Sequence, residues 1–588
     1  MTSSHPTKES ADIVIIGGGI VGISILRSIT QCNNNLKVIL IEAQSDLLSQ
    51  ASGSNSGIAC TGVDATPGTL ERSLIRDSIS QIRPFCRDMN IPMRECGSLV
   101  CLWPWDGDGN GDGNGDGDGD GNGDGNGNGN DDGDDDGDGD APTTDDTQTK
   151  TMKEAGSSSN HDTHDSCIVD SRLVTVAEES WDAGDSHAKI LSSSQLFNSK
   201  HQVNEPHLSK SCKGAVHIPG EIVLDPWLFG IALASQARQC GGIIYTNWKY
   251  DPSKSFRRQK SNDDTDASTD IDNNGGPYLW TLVRDLDDNG VDVEGLPVEI
   301  HTKIVINATG IQSDLIQSKT QNVPESVYEA RPRRGQYKIF ASTSTSSTSA
   351  TSNQQDFHLT RPIQPVPTQR TKGIFVFSSL YNQIIVGPTA LDQSSRVDRS
   401  IHENVANQLT QYVQKLLPNL DVNDSNVIGE YVGIRPGTNR RDYQIHCYPT
   451  ENWITVGGIR STGLTASLGI GRYVVHSLLS ILVPGIVLSS ETETQGQHQV
   501  GLGEEDLEQY QQMPHQEKQE EKMEVQESKN EQSYSKRIIK PLPPMKDMIQ
   551  EFHIRGDDHV TINGYLYKVT HPITRFGWNA KTGIAAEC

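Results

Sequence analysis

The residues best spaced for chemistry stand near the start of the chain. Gly17-x-Gly19-x-x-Gly22 follows a β-branched run, Ile13-Val14-Ile15-Ile16, and Glu42 lies about twenty residues further on. The first glycine permits a tight turn, the second lets the backbone approach a pyrophosphate, and the third lets a helix pack closely on a strand. The helix N-terminus that follows favours negative charge. Glu42 is placed to accept hydrogen bonds from an adenosine ribose. This order of strand, glycine turn, helix and acidic residue predicts a dinucleotide site rather than a glycine turn without a ligand.

Those residues require a βαβ unit to hold them. The pattern predicts buried parallel strands over 13–16 and 37–41 with a helix over 20–30 between them. Pro67-Gly68 opens an amphipathic helix running to about 89, and 97–103 reads as a strand entering an acidic insert. Asp225-Pro226 starts a helix through about 239, followed by a strand over 242–246. Segments 278–284 and 298–306 form a strand pair, the second ending in Asn307-Ala308-Thr309-Gly310. Short strands over 336–340, 373–377 and 383–386 predict an antiparallel sheet. A helix over 401–417, a strand over 453–456, a glycine turn over 457–463 and a helix over 464–482 complete the patterned part.

Composition narrows the function classes. Of 588 residues, the 35 from Asp106 to Asp140 are only Asp, Gly and Asn, and their 14 aspartates carry about half of the formal net charge of −27. Such a stretch cannot join a core and reads as a solvated insert with at most weak cation association, since a calcium loop needs a bidentate Glu. Segments 143–165, 251–276, 342–355 and about 491–534 are similarly polar and read as disordered. No basic surface large enough for nucleic acid is visible. The longest apolar stretch, 474–488, is broken by His476 and Pro484 and falls short of a membrane span; it is expected to pack on the core, a peripheral lipid contact being the alternative. Residues 1–10 lack an apolar region and predict no secretory signal. Ten scattered cysteines without CxxC pairs predict reduced thiols, in the cytosol or else mitochondria. The pair His161 and His164 lies in an acidic polar stretch and is not read as a metal site.

Beyond these readings, the chain resembles the FAD-dependent oxidoreductase superfamily that includes D-amino-acid oxidase and glycine oxidase. Within it the similarity is to the glycerol-3-phosphate dehydrogenase and L-2-hydroxyglutarate dehydrogenase branch. The resemblance is carried by Asn55-Ser56-Gly57-Ile58 with Pro67-Gly68-Thr69-Leu70, by Asp225-Pro226-Trp227, and by Arg331-Pro332-Arg333-Arg334-Gly335-Gln336-Tyr337. Val386-Gly387-Pro388-Thr389-Ala390, Gly433-Ile434-Arg435-Pro436 and the segment from Gly458 to Ala466 continue it in the family's order.

The resemblance implies a Rossmann-type FAD-binding domain interleaved with an antiparallel-sheet substrate domain, an α/β fold carrying long disordered inserts. FAD contacts are expected from Gly17, Gly19, Gly22, Glu42, Asn55, Ser56, Gly57, Ile58, Thr309, Gly310, Gly458, Arg460, Gly463, Leu464 and Thr465. The 51–58 segment would pass near the isoalloxazine, and a helix terminus or guanidinium at its pyrimidine end would stabilise a reduced, anionic flavin. Hydride would pass from a substrate carbon to flavin N5, giving a carbonyl or imine, with oxygen or a quinone as electron acceptor. The expected donor is a CH–OH compound carrying phosphate or carboxylate. Arg435, read as following a short strand, would grip that anion bidentately, the alternative being a structural ion pair. Arg334 reads as part of a solvated face.

The sequence also departs from the branch. Relatives usually carry a histidine where Cys60 stands, which leaves the general base unassigned: Cys60 reads as a small buried residue, and His217 is a candidate base, the alternative being a structural histidine. Only Cys447 and Cys588 follow Cys240, so no iron–sulfur cluster of the kind found in some relatives can form. Alternatives on the same scaffold are an L-2-hydroxy-acid dehydrogenase or an amino-acid or amine oxidase; an alternative of another class is a non-catalytic flavin-binding interaction protein. The FAD-binding domain is expected over 11–92, 225–330 and 433–489, with an insert at 251–276. The substrate domain takes 93–224 and 331–432, with an insert at 104–165. A linker over 490–548 leads to a tail over 549–588 that either docks on the core or binds a partner.

Overall fold

The computed structural model describes residues 8–32, 35–63, 65–106, 169–259, 278–286, 295–343, 357–368, 373–483 and 539–579. The aspartate-rich run after Asp106, the His161 and His164 pair, and the polar stretches 260–276, 344–355 and 491–534 fall outside these residues.

Strand β1 (Lys8–Ile16), helix α1 (Ile20–Cys32) and strand β2 (Val38–Ile41) form the expected parallel unit, with Ile13 to Ile16 facing Val38 to Ile41 in register. Its strands are apolar on both faces because helices cover the sheet. On the far side of β2 lies Ile243–Tyr245, and on the far side of β1 lies Glu299–Asn307, both parallel to their neighbours. Trp453–Gly457 then adds beside Glu299–Asn307, again parallel. Tyr278–Val283 and Phe256–Gln259 extend the same sheet as antiparallel ribbons. Residues 256–259 therefore form the sheet edge, and 251–255 a turn leading into it, within the stretch read as a disordered insert.

Helix α1 packs against Pro226–Gln239 and Gly463–Tyr473, and the latter also lies against helix α2 (Leu70–Asp88). The helix expected over 464–482 is regular to Tyr473, widens into a π-helical turn over Val474–Leu479, and ends at Leu482. Val474, Val475, Leu478 and Leu479 are buried in the main core, as apolar packing on the protein requires. Among the described residues no helix is long and apolar enough to cross a membrane.

The second large sheet has nine strands among the described residues, with Ala330–Ala341 paired to Val427–Thr438 along nearly its whole length. It is not wholly antiparallel: Ile363–Pro365 runs parallel to Ser98–Leu102. Arg435 lies inside the twelve-residue strand Val427–Thr438 and not after a short one, so the boundary expected at 432/433 cuts a continuous strand. The pattern hides this strand because Gly429, Gly433, Pro436 and Gly437 interrupt its alternation. Arg334, expected on a solvated face, is 1% exposed and bonded to Gln393 and Asp398. A small third sheet joins Ile58–Ala59 and Met93–Arg94 to Ile222–Leu224.

Residues 539–579 fold as helix Met545–Arg555, hairpin His559–Ile562 with Tyr565–Lys568, and helix Pro572–Asn579. Leu542, Met548, Phe552 and Trp578 enter the same core as α1. The structured tail thus begins before residue 549, and it docks on the core.

Candidate functional site

The glycine turn closes over the end of β1. Gly17 donates its N–H to the Ile41 carbonyl at 2.8 Å and sits at φ +116°, where an L side chain is strained and a Cβ would stand 2.5 Å from the Ala308 carbonyl oxygen. A Cβ at Gly22 would overlap the Gly17 carbonyl oxygen, so the helix can approach the strand only with glycine there. Gly19 is different: its Cβ would meet only Ser52 Oγ within 4 Å, which leaves the backbone approachable from the cavity side. Glu42 accepts from the Gly18 N–H at 2.6 Å and from the Gln44 N–H at 2.8 Å. Burial pushes its carboxyl above the usual range, and those N–H groups act against the shift.

A cavity of about 940 Å³ runs from this turn between the two large sheets. Such a volume lies at the upper end of ligand pockets, roughly 300–1,000 Å³. Gly17, Gly19, Glu42, Asn55, Ser56, Ile58, Thr309, Gly310, Arg435, Arg460, Gly463, Leu464 and Thr465 all line it. Three of the expected contacts do not. Gly22 packs helix on strand, while Gly57 at φ +71° and Gly458 at φ +64° shape backbone turns, the former within 2.7 Å of the Leu224 carbonyl oxygen if given a Cβ.

Arg460 is engaged: its guanidinium reaches Glu71 Oε2 at 3.4 Å and donates to the Arg441 carbonyl at 2.6 Å. Thr462 Oγ1 donates to the other Glu71 oxygen at 2.6 Å, so this corner is a tied network at the start of α2. Cys60 donates its N–H to Thr465 Oγ1 at 3.2 Å and also faces the cavity.

The opposite wall carries charge. Arg435 donates to the carbonyls of Arg334 and Thr389, its Nε is buried without a partner, and among the described residues no carboxylate comes within 4 Å of it. Burial lowers its pKa. Arg399, which sequence reasoning did not single out, bonds Gln50, likewise buries an unpartnered Nε, and lines the same cavity. Tyr337 faces the cavity and stacks on Tyr431 with ring centroids 4.4 Å apart.

His217 is a correction. It lies on the next-to-last strand of the second sheet, opposite Leu99 and Lys189 and not among the cavity's lining residues, where burial and the Arg361 charge push it down to about 4. No histidine is among the residues that line the cavity. Buried carboxylates that do are Asp251 and, more deeply, Glu221, 1% exposed, with Gln364 Nε2 donating to Oε2 at 2.8 Å. Strand pairing sets Ile58 against Val223 and Ala59 against Ile222, and Cys60 and Glu221, the residues next to this pair of strands, both line the cavity. The signal in the sequence was the turn Pro219-Gly220 between two short apolar runs, which puts the following residue at a strand start. Among the described residues there is no cluster that could hold a metal ion.

A glycine turn at the start of a helix, a carboxylate at the end of the second strand and a cavity between two sheets fit the class of dinucleotide-binding proteins. The particular family follows from comparison with known proteins. The FAD dependent oxidoreductase family model matches residues 12–114 and 161–477, well over half of the chain, and the chain belongs to that family. FAD is its cofactor, and the open backbone at Gly19 beside a glycine turn that no Cβ could enter fits that group.

The chain is 24% identical over 471 residues to a glycerol 3-phosphate dehydrogenase of Caloramator mitchellensis, covering 80% of this chain and 74% of that protein. It is 24% identical over 477 residues to a glycerol 3-phosphate oxidase of Mycoplasma pneumoniae, covering 80% and 95%. It is 34% identical over 93 residues to an L-2-hydroxyglutarate dehydrogenase of Nematostella vectensis, a match covering 16% of this chain and 20% of that protein. Among solved structures, the FAD-bound L-alpha-glycerophosphate oxidase of M. pneumoniae superposes with a TM-score of 0.55 at 21% identity, covering 81% and 95% of the two chains, which shows the fold.

Proposed function

We propose that the protein oxidises the CH–OH group of a small organic anion, glycerol 3-phosphate or a near analogue. The observation that carries this reading is Arg435, a partly buried guanidinium on the cavity wall whose Nε is buried without a partner and which, among the described residues, has no carboxylate within 4 Å. A partly desolvated guanidinium bonded only to carbonyls gains from an anion, and an anionic substrate supplies one. Phosphate or carboxylate suits the planar fork bidentately. Arg399, on the same cavity, adds a second donor group.

Bound FAD supplies the hydride acceptor. The chain's own part is to hold the donor, exclude water and take the hydroxyl proton. Glu221, buried in the cavity wall with Gln364 Nε2 donating to one carboxylate oxygen, is the group we assign to the last step. Similarity to the glycerol 3-phosphate dehydrogenase and oxidase supports the phosphate form of the anion. Oxygen or a quinone would then take the electrons, and the cysteine usage suits a reducing compartment, cytosolic or mitochondrial. The second reading, an L-2-hydroxy-acid dehydrogenase, is favoured by the higher identity of the short match to L-2-hydroxyglutarate dehydrogenase.

Anaerobic addition of glycerol 3-phosphate, L-2-hydroxyglutarate and amino acids in turn tests these readings. Bleaching of the flavin absorbance by glycerol 3-phosphate is expected. Bleaching by L-2-hydroxyglutarate alone would establish the second reading, and ammonia release from an amino acid would overturn both.

A further inference from the structure

The family match ends at residue 477, yet residues 539–579 are built into the same core as the glycine turn. None of them lines the cavity. They reach its wall indirectly at two places, and at a third they hold helix Pro226–Gln239.

Thr570 Oγ1 donates toward the Leu47 and Leu48 carbonyls at 3.4 and 3.5 Å. Leu48 in turn donates its N–H to the Gly18 carbonyl at 3.0 Å, so this loop is tied to the glycine turn on one side and to the tail on the other. The loop continues directly into Gln50 to Ser56, most of whose residues form the cavity wall.

His571 is fully buried, and its ring lies edge-on to Tyr431 at 6.0 Å. The Tyr431 hydroxyl donates to the Asn55 carbonyl at 3.0 Å, and its ring stacks on the cavity-lining Tyr337. Further along, Thr574 Oγ1 donates to the Asp225 carboxylate at 3.0 Å, and Trp578 Nε1 donates to the Tyr381 hydroxyl at 3.1 Å, which itself donates to Asp225. Asp225 caps helix Pro226–Gln239 through the Leu228 N–H at 2.7 Å. The Trp578 ring stands edge-on to Trp227 with centroids 5.7 Å apart.

We propose that residues 539–579 are a positioning module for the FAD cavity, fixing the 47–56 loop and the Tyr431–Tyr337 stack from behind. The hydrogen bonds of Thr570, Thr574 and Trp578 make this docking specific in geometry, because they form only in one register. The loop they fix is the one expected to pass the isoalloxazine, and the inference rests on that reading of the cavity.

The test compares the full chain with a chain ending at residue 538 and with full-length Thr570→Val and Trp578→Phe. FAD affinity is measured by fluorescence titration and the flavin environment by visible circular dichroism, with far-UV circular dichroism as the check on folding. Truncation is expected to raise the FAD dissociation constant by more than tenfold and to alter the visible signal. Each point variant is expected to raise it about fivefold, the loss of roughly one hydrogen bond, with the far-UV spectrum unchanged. Should the truncated chain fail to fold, the two point variants decide. FAD affinity and visible signal equal to those of the full chain in both would overturn the proposal. A full chain that takes up no FAD would instead break the reading of the cavity itself.

Discussion

The two walls of the cavity recognise in different ways. One is made of backbone: Gly17, Gly19, Thr309, Gly310 and the start of helix Gly463–Tyr473 present peptide groups and a helix terminus. The other is made of side chains: Arg435, Arg399, Tyr337, Gln364 and Glu221 project from strands and loops. Backbone recognition depends on where a Cβ cannot be, and therefore tolerates almost no substitution at a few positions. Side-chain recognition depends on what each group carries, and its variants should fold, hold FAD and fail at the donor.

Gly22→Ala should have the largest effect. The added methyl overlaps the Gly17 carbonyl oxygen, and the strain, on the order of 3 kcal/mol, must move α1 away from the phosphate site. The purified variant should carry little or no flavin, read as the ratio of absorbance at flavin and protein wavelengths. A variant with full flavin content would show that the turn gives way more easily than its packing implies.

Glu221→Gln should come next, and on the other wall. It keeps the shape and removes the base, so flavin content stays at the level of the unaltered protein. The rate of flavin reduction should fall by roughly 10²–10⁴-fold, measured by anaerobic stopped flow. A variant that reduces at the original rate would remove Glu221 from the chemistry and reopen the question of the base.

The same contrast explains what could be read from the chain. The βαβ unit, the helix opening at Pro226 and the turn before helix Gly463–Tyr473 were legible because glycine, proline and buried strands have strict local requirements. Strand Val427–Thr438 was not, since its glycines and proline are tolerated only by pairing with Ala330–Ala341 over their full length. His217 stood out as a titratable group near a turn, yet register sent it into the sheet and left Glu221 at the cavity. Arg399 had no local signal at all, because only the fold brings it beside Gln50. Docking of the tail was equally invisible, depending on Trp227 and Trp578 some 350 residues apart.

Arg435→Gln should preserve flavin and weaken the donor. Loss of a charge-assisted contact is worth about 1.5–3 kcal/mol, or roughly a 10- to 150-fold fall in kcat/KM, carried mainly by KM. If kcat fell while KM held, Arg435 would be acting on the reacting centre rather than on the anion.

Behind both walls, His571 gives a pH-dependent contribution of a different kind. Complete burial pushes it down to about 3, against about 6.5 in the unfolded chain. Between these values the unfolded state binds the extra proton, so stability rises with pH across that window by up to about 1.4 kcal/mol per unit. It is fully retained above about pH 6.5 and erodes on acidification. His571→Gln should flatten that part of the profile, measured as urea midpoints at pH 7 and pH 4.5, and equal slopes in the two proteins would show that other groups dominate.

The smallest effect should come from Glu42→Gln, the one side chain that belongs to the backbone wall. The amide keeps an acceptor for the Gly18 or Gln44 N–H but loses the charge, and one of its two ends now donates where a ribose hydroxyl would. Because burial already disfavours the ionised carboxyl, removing the charge relieves part of what it removes. FAD affinity should therefore fall by only about tenfold, one charged hydrogen bond exchanged for a neutral one, with folding intact by circular dichroism. A loss as severe as that of Gly22→Ala would mean that this wall, too, depends on side-chain charge, and the contrast between the two would dissolve.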